Sequence, residues 1–149
     1  MNSGVARRAV DPDDDLESLL LRLSKARGQD EVIAAVRDTT RRLIGADGVT
    51  FVLRDGDKVR YVDEDAISPL WKGQSFPAET CISGWAIANR QTVTIEDIYA
   101  DDRIPHAAYR PTFVRSLAMV PVRPEDPVAA IGAYWATRVS PNRRRWRPP

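Results

Sequence analysis

The sequence predicts an α+β fold, with a central antiparallel sheet, N-terminal helices on one face and a loop and short-helix layer on the other. Two stretches with helical spacing open the chain. Two hairpins of alternating residues stand at 49–62 and 117–135, and between them lie long loops, a short helix and a short strand.

In the first helix, Leu16, Leu19, Leu20 and Leu23 share one face. Asp13, Asp14 and Asp15 precede them, where carboxylates suit the positive end of a helix dipole, and one of them is expected to cap it. Gly28 is expected to end this helix and Asp30 to cap the next. There Val32, Ile33, Val36, Thr40, Leu43 and Ile44 form the apolar face, with Arg37, Asp38, Arg41 and Arg42 largely opposite, and Gly45 is a natural stop.

From Ala46 the period becomes two. Val49, Phe51 and Leu53 alternate with Thr50, Val52 and Arg54, Asp55-Gly56-Asp57 makes a tight turn, and Val59 to Val62 returns. Ser68 to Pro77 reads as a loop with a short edge strand around Leu70 and Trp71. Ile82 to Asn89 reads as a short helix and Thr92 to Ile95 as a β-branched strand. Glu96 to Thr112 has no sustained period and reads as a long loop with one helical turn, a kind of segment that often carries function. Leu117 to Val122 and Val128 to Trp135 form the second hairpin, with Gly132 where a side chain would be unwelcome.

Composition bounds the function. The 149 residues suit one domain, expected over 13–137 between a disordered lead (1–12) and a disordered Pro/Arg-rich tail (138–149). With 43% hydrophobic and 29% charged residues the chain reads as globular, and no apolar run is long enough to span a bilayer. The single cysteine, Cys81, excludes an internal disulfide and fits a cytoplasmic location. Lys and Arg total 22 against 21 Asp and Glu, but five arginines fall in the last twelve residues, so the body is net acidic. That arginine tail with Trp146 is the one patch with nucleic-acid chemistry; a solvated tail is the simpler reading, so a nucleic-acid partner is not expected.

Nothing in the sequence assembles a catalytic or metal constellation. One histidine and one cysteine make neither a zinc set nor a nucleophile–base pair. Asp101 and Asp102 read as turn formers in the long loop. Glu96 and Asp97 point to opposite sides of a strand end, which does not suit paired acid–base work. Cys81 reads as a buried or helix-start thiol, and a helix N-terminus would lower its pKa and give mild redox sensitivity. No enzymatic activity is expected.

The stretch Cys81-Ile-Ser-Gly-Trp-Ala-Ile-Ala-Asn-Arg-Gln91 with Thr92 to Ile98, the run Asp101-Asp-Arg-Ile-Pro105, the strand Ser116 to Val122 and the closing Ala130 to Ala136 resemble GAF domains of bacterial signalling proteins, most of all those ahead of sensor histidine kinases. The resemblance runs from about Gln29 to Thr137. It implies a small-molecule pocket between the sheet and the loop layer, walled around Phe76, Ile82, Trp85, Ile98, Tyr99, Ile104 and Tyr109, with His106 touching the ligand. It also implies a homodimer through the terminal helices and relay to a kinase partner, or else a ligand-free dimerisation module. Ligand and cofactor stay unnamed. Bilin-binding members attach pigment through a cysteine typically followed by histidine, whereas Ile82 follows Cys81. After Asn89-Arg90 the Phe and Asp-Glu of cyclic-nucleotide binders are missing, and the GAF-fold methionine sulfoxide reductases need several cysteines. The usual C-terminal helix is expected to be absent, since Thr137 runs directly into the Pro/Arg-rich tail.

Overall fold

The alternating segments become strands β1 (Gly48–Asp55), β2 (Lys58–Ala66), β3 (Ser75–Pro77), β4 (Val93–Ile95), β5 (Ser116–Val122) and β6 (Ala129–Trp135) in a computed structural model that describes residues 12–123 and 127–138. They form one antiparallel sheet of order β3-β2-β1-β6-β5-β4, as the sequence predicts for the fold class. The helices are α1 (Pro12–Lys25), α2 (Gln29–Ile44), α3 (Ile82–Asn89) and the single turn α4 (His106–Tyr109), with 3₁₀ turns at Ala78–Thr80 and Ile98–Ala100. The expected lead and tail, apart from Pro12 and Arg138, lie outside the described residues, as does the expectation about a C-terminal helix.

Strand alternation sends side chains to two cores. Val49, Phe51, Ala133 and Trp135 pack under α2 against Ile33, Val36 and Ile44. Val52, Val59, Tyr61, Leu117, Met119 and Tyr134 face the layer of loops, α3 and α4. The Trp135 indole donates to the Gly45 carbonyl (3.0 Å), fixing the C-terminus of α2 to the sheet, and Gly45 takes the left-handed conformation (φ 65°) expected of a helix stop.

Several expectations change in three dimensions. Gly28 does not end α1, which stops at Lys25; it is the extended residue before α2, and Asp30 lies inside the first turn without capping it. The buried stripe of α2 is centred on Ala35 and Thr39, while Val32 is 41% exposed. Arg37 and Arg41 reach toward the sheet rather than away from it. Their guanidinium groups meet Asp63 (2.7 Å) and Asp65 (3.0 Å) on β2. A register shift between Phe51 and Val52 makes this possible: Tyr61 pairs with Val52 and Asp63 with Phe51, so Val62 is the extra residue and Val62 and Asp63 both face the helices. The edge strand expected around Leu70 and Trp71 forms instead at Ser75–Pro77, because the Leu70 and Trp71 amides are taken by a side chain.

Gly132 has the close-contact role the sequence assigns it. A Cβ there would run into the Tyr134 hydroxyl and come within 2.8 Å of Thr50 Oγ1, the two groups that hydrogen-bond across β1 and β6 (2.9 Å). Gly132→Ala is therefore expected to destabilise the chain by about 1–3 kcal/mol, read from urea unfolding. No measurable change would mean that the Tyr134 ring can move aside at no cost.

Candidate functional site

The site begins with one carboxylate. Glu64 on β2 turns to the face opposite Asp63 and accepts three backbone amides, from Leu70, Trp71 and Lys72, each at 2.9 Å. Charge-assisted bonds of this kind fix a loop without a strand. They hold Trp71, 5% exposed, against the inner face of the sheet, where its ring centroid lies 4.7 Å from Tyr109, 5.5 Å from Tyr61 and 5.6 Å from Tyr134. The Trp71 indole N–H points to the Ala108 carbonyl (3.3 Å) on α4.

Beside this aromatic cluster is a cavity of about 40 Å³, walled by Tyr61, Trp71, Phe76, Thr80, Cys81, Ile82, Pro105, Ala108 and Tyr109. Gly84 lets α3 pack close against the 3₁₀ turn at Ala78–Thr80, because any Cβ there would collide with the Ala78 carbonyl. The polar groups are few. Tyr61 and Ser83 hydroxyls share a 3.3 Å hydrogen bond. The Tyr134 hydroxyl is engaged with Thr50, and the fully buried Tyr109 hydroxyl lies by the Tyr134 phenol without a hydrogen bond of good geometry. Burial pushes all three phenols well above the ordinary tyrosine range, so they are neutral hydrogen-bonding groups. Burial also pushes the Cys81 thiol above its usual value, against the Thr80 contact. This runs against the expectation of a helix-activated thiol: Cys81 is 8% exposed, and desolvation raises its pKa more than the Thr80 contact lowers it.

A family model for the GAF domain matches residues 26–147, most of the chain. The chain belongs to the GAF domain family. No curated protein sequence matches it. Among solved structures, the GAF domain of an Acinetobacter phosphoenolpyruvate-protein phosphotransferase is 12% identical with a TM-score of 0.70, covering 87% of this chain and 79% of that one. A phycocyanobilin-bound GAF domain from a cyanobacterial phytochrome is 15% identical, TM-score 0.66, covering 88% and 83%. The Neisseria meningitidis free methionine-R-sulfoxide reductase, solved with its substrate, is 20% identical, TM-score 0.63, covering 87% and 78%. At these identities the likeness is one of fold. Among the described residues of this GAF domain, no helix is long and apolar enough to cross a membrane.

The residues expected to wall the pocket fall into three groups. Phe76, Ile82 and Tyr109 line the cavity. Ile98 and Ile104 are buried in the same core without forming the wall. Trp85, Tyr99 and His106 stand outside it. Trp85 lies under the Arg103 guanidinium (4.5 Å) and lines a separate open pocket of about 430 Å³ between α3, the turn at Ala78–Thr80 and the β1–β2 turn. Tyr99 is 38% exposed against the His106 ring. His106 Nε2 contacts the Ile98 and Asp101 carbonyls (3.1 Å each), which ties the long loop together. Asp101 forks Arg103 and accepts its amide, as a turn former would. Sequence reading missed Tyr61 and, above all, Trp71. Its one visible signal was a large aromatic in a Pro/Gly-bearing loop, which needs tertiary burial to be stable there.

Since all three loop amides depend on Glu64, Glu64→Gln removes the charge and one of the two acceptor oxygens. The expected loss is about 1–3 kcal/mol of stability, with faster amide hydrogen exchange at residues 70–72 than elsewhere in the domain. Exchange unchanged there would show that packing of Trp71 alone holds the segment.

Proposed function

We propose that this GAF domain is a sensory module that binds a small molecule between the sheet and the loop layer and relays its presence in signal transduction, with a histidine kinase as the output partner. The single observation that carries the binding half is the Tyr109 hydroxyl, buried beside a cavity with the Tyr134 phenol nearby but no hydrogen bond of good geometry. A buried polar group left without a partner is costly, and a ligand or water supplies one. Two neighbours of the same fold, the phycocyanobilin-bound domain and the substrate-bound reductase, hold small molecules and support the reading. The kinase half rests on the likeness of the motifs between Cys81 and Ala136 to modules placed ahead of such kinases. We read the role as binding rather than catalysis, because His106 bridges backbone carbonyls and the Cys81 thiol is buried with its pKa raised. Native mass spectrometry of the purified chain is the test. A discrete added mass, lost on denaturation and diminished in Tyr109→Phe, is expected; a bare chain across a metabolite panel would count against binding.

A second reading, a ligand-free dimerisation module, has its own observation. Leu20 and Leu21 on α1 are 57% and 56% exposed, and an apolar groove of about 340 Å³ runs between α2 and the sheet, past Val32, Val36 and Val122. Apolar surface of this kind marks contact sites. Light scattering is expected to give a homodimer that Leu20→Glu with Leu21→Glu converts to monomer. A monomer at high concentration in the unaltered chain would remove this reading.

A further inference from the structure

We propose that Trp71 is an internal occupant of the ligand space, displaced by a flat N–H heteroaromatic molecule, and that its displacement is passed to α1 and α2 through Lys72, Asp63 and Arg37. The proposal rests on the ligand-binding reading above and adds the ligand class and the route out.

The cavity of about 40 Å³ holds a water or two, far below the roughly 300–1,000 Å³ of small-molecule pockets. What fills the rest is the Trp71 indole, set among three tyrosine rings at 4.7–5.6 Å with its N–H on a backbone carbonyl. These are the contacts a bound indole-like ring would make. An incoming flat heteroaromatic inherits them, with the Ala108 carbonyl for its N–H and the Tyr109 hydroxyl for a further polar atom. Trp71 is also suited to leave. It belongs to no strand; its amide and its neighbours' hang on the one Glu64 side chain, and its carbonyl takes only the local Gln74 amide (3.0 Å).

The next residue links the plug to the other face. Lys72 Nζ lies 3.3 Å from Asp63 Oδ1, while Asp63 Oδ2 accepts from Arg37 on α2 (2.7 Å). Arg37 Nε in turn meets Asp38 (3.0 Å), and Asp38 meets Arg22 on α1 (2.7 Å). The outer pairs are exposed and individually weak. Asp63 differs, with its side chain only 12% exposed and its two oxygens shared between the plug and the helix. Moving residues 70–72 takes Lys72 from Asp63 and leaves that carboxylate to Arg37 and the Glu64 amide (2.9 Å), so α2 and, through Asp38, α1 meet a changed partner. Such a route earns its standing from a measured bias of both ends, not from adjacency.

The test uses the isotope-labelled 149-residue chain and indole as the probe. Trp71→Ala should bind indole at least about tenfold more tightly than the unaltered chain, which must first expel its own ring. In Trp71→Ala the amide signals of Arg22, Arg37 and Asp38 should shift, and indole should return them toward their original positions. Adding Asp63→Asn should abolish that return while leaving the shifts around Tyr61 and Tyr109. Equal affinity for both chains overturns the internal-occupant half. Indole bound with α1 and α2 silent overturns the relay half and leaves the sensory reading intact; a ligand found by native mass spectrometry with Trp71 still buried overturns the internal-occupant half and leaves that reading intact too. Should Trp71→Ala fail to fold, Lys72→Gln in the otherwise unaltered chain decides the relay. It should move the Arg37 and Asp38 signals, and shifts confined to residues 70–74 overturn it.

Discussion

Pairing of β1 with β6 joins what would otherwise be two separate hairpins. The β1–β2 and β5–β6 units each close through a short connection, but the sheet becomes continuous only where Gly48 to Leu53 meets Ala129 to Tyr134. Closing so long an interval costs chain entropy that local contacts do not return. The return comes from what the pairing creates: one wide surface whose two faces each bury a core. The buried Thr50–Tyr134 hydrogen bond and the glycine that makes room for it lie in the middle of that pairing. Trp135, at the end of β6, then fastens α2 to the sheet through the Gly45 carbonyl.

β2 is where the two faces communicate. Adjacent residues on a strand point to opposite sides, and the irregularity at Val62 sets which acid goes where. Asp63 and Asp65 hold α2 through Arg37 and Arg41, while Glu64, between them, holds the loop that carries Trp71. Burial works against ionising Asp63, but the Glu64 amide, Lys72 and Arg37 outweigh it and keep its carboxyl below the ordinary range. It therefore stays charged at neutral pH, and a three-residue acidic run becomes the joint between the helical layer and the loop layer.

The loop layer is densely filled. Tyr61, Trp71, Tyr109 and Tyr134 make an aromatic cluster whose rings sit at tilted or edge-on angles, the arrangements aromatic quadrupoles favour. Among the described residues, small voids of about 40 and 70 Å³ and one hydroxyl without a well-formed hydrogen bond depart from a completed core. Cores tolerate such departures at a cost, and their location at the loop layer is the observation on which the binding proposal rests.

The fold class, both helices, the two hairpins and the bounds of α3 were legible because local patterning repeats there: helical spacing in 16–23 and 32–44, alternation in 49–62, a glycine or turn at each boundary. The family was legible from the ordered motifs between Cys81 and Ala136. Of the cavity wall, Phe76, Ile82 and Tyr109 were legible by resemblance, whereas Trp71 and Tyr61 were not. The continuation of β2 through Asp63-Glu64-Asp65 breaks the apolar alternation that marks a strand, and the inward turn of Arg37 and Arg41 breaks the rule that charged helix faces look to solvent. Sequence by itself thus determined which segments are helix and strand and which residues are apolar enough to need burial. Only the tertiary structure decided the partners of the charges and the seat of Trp71, because a carboxylate's position is set by the cations and amides that distant segments bring to it, and no local period records those.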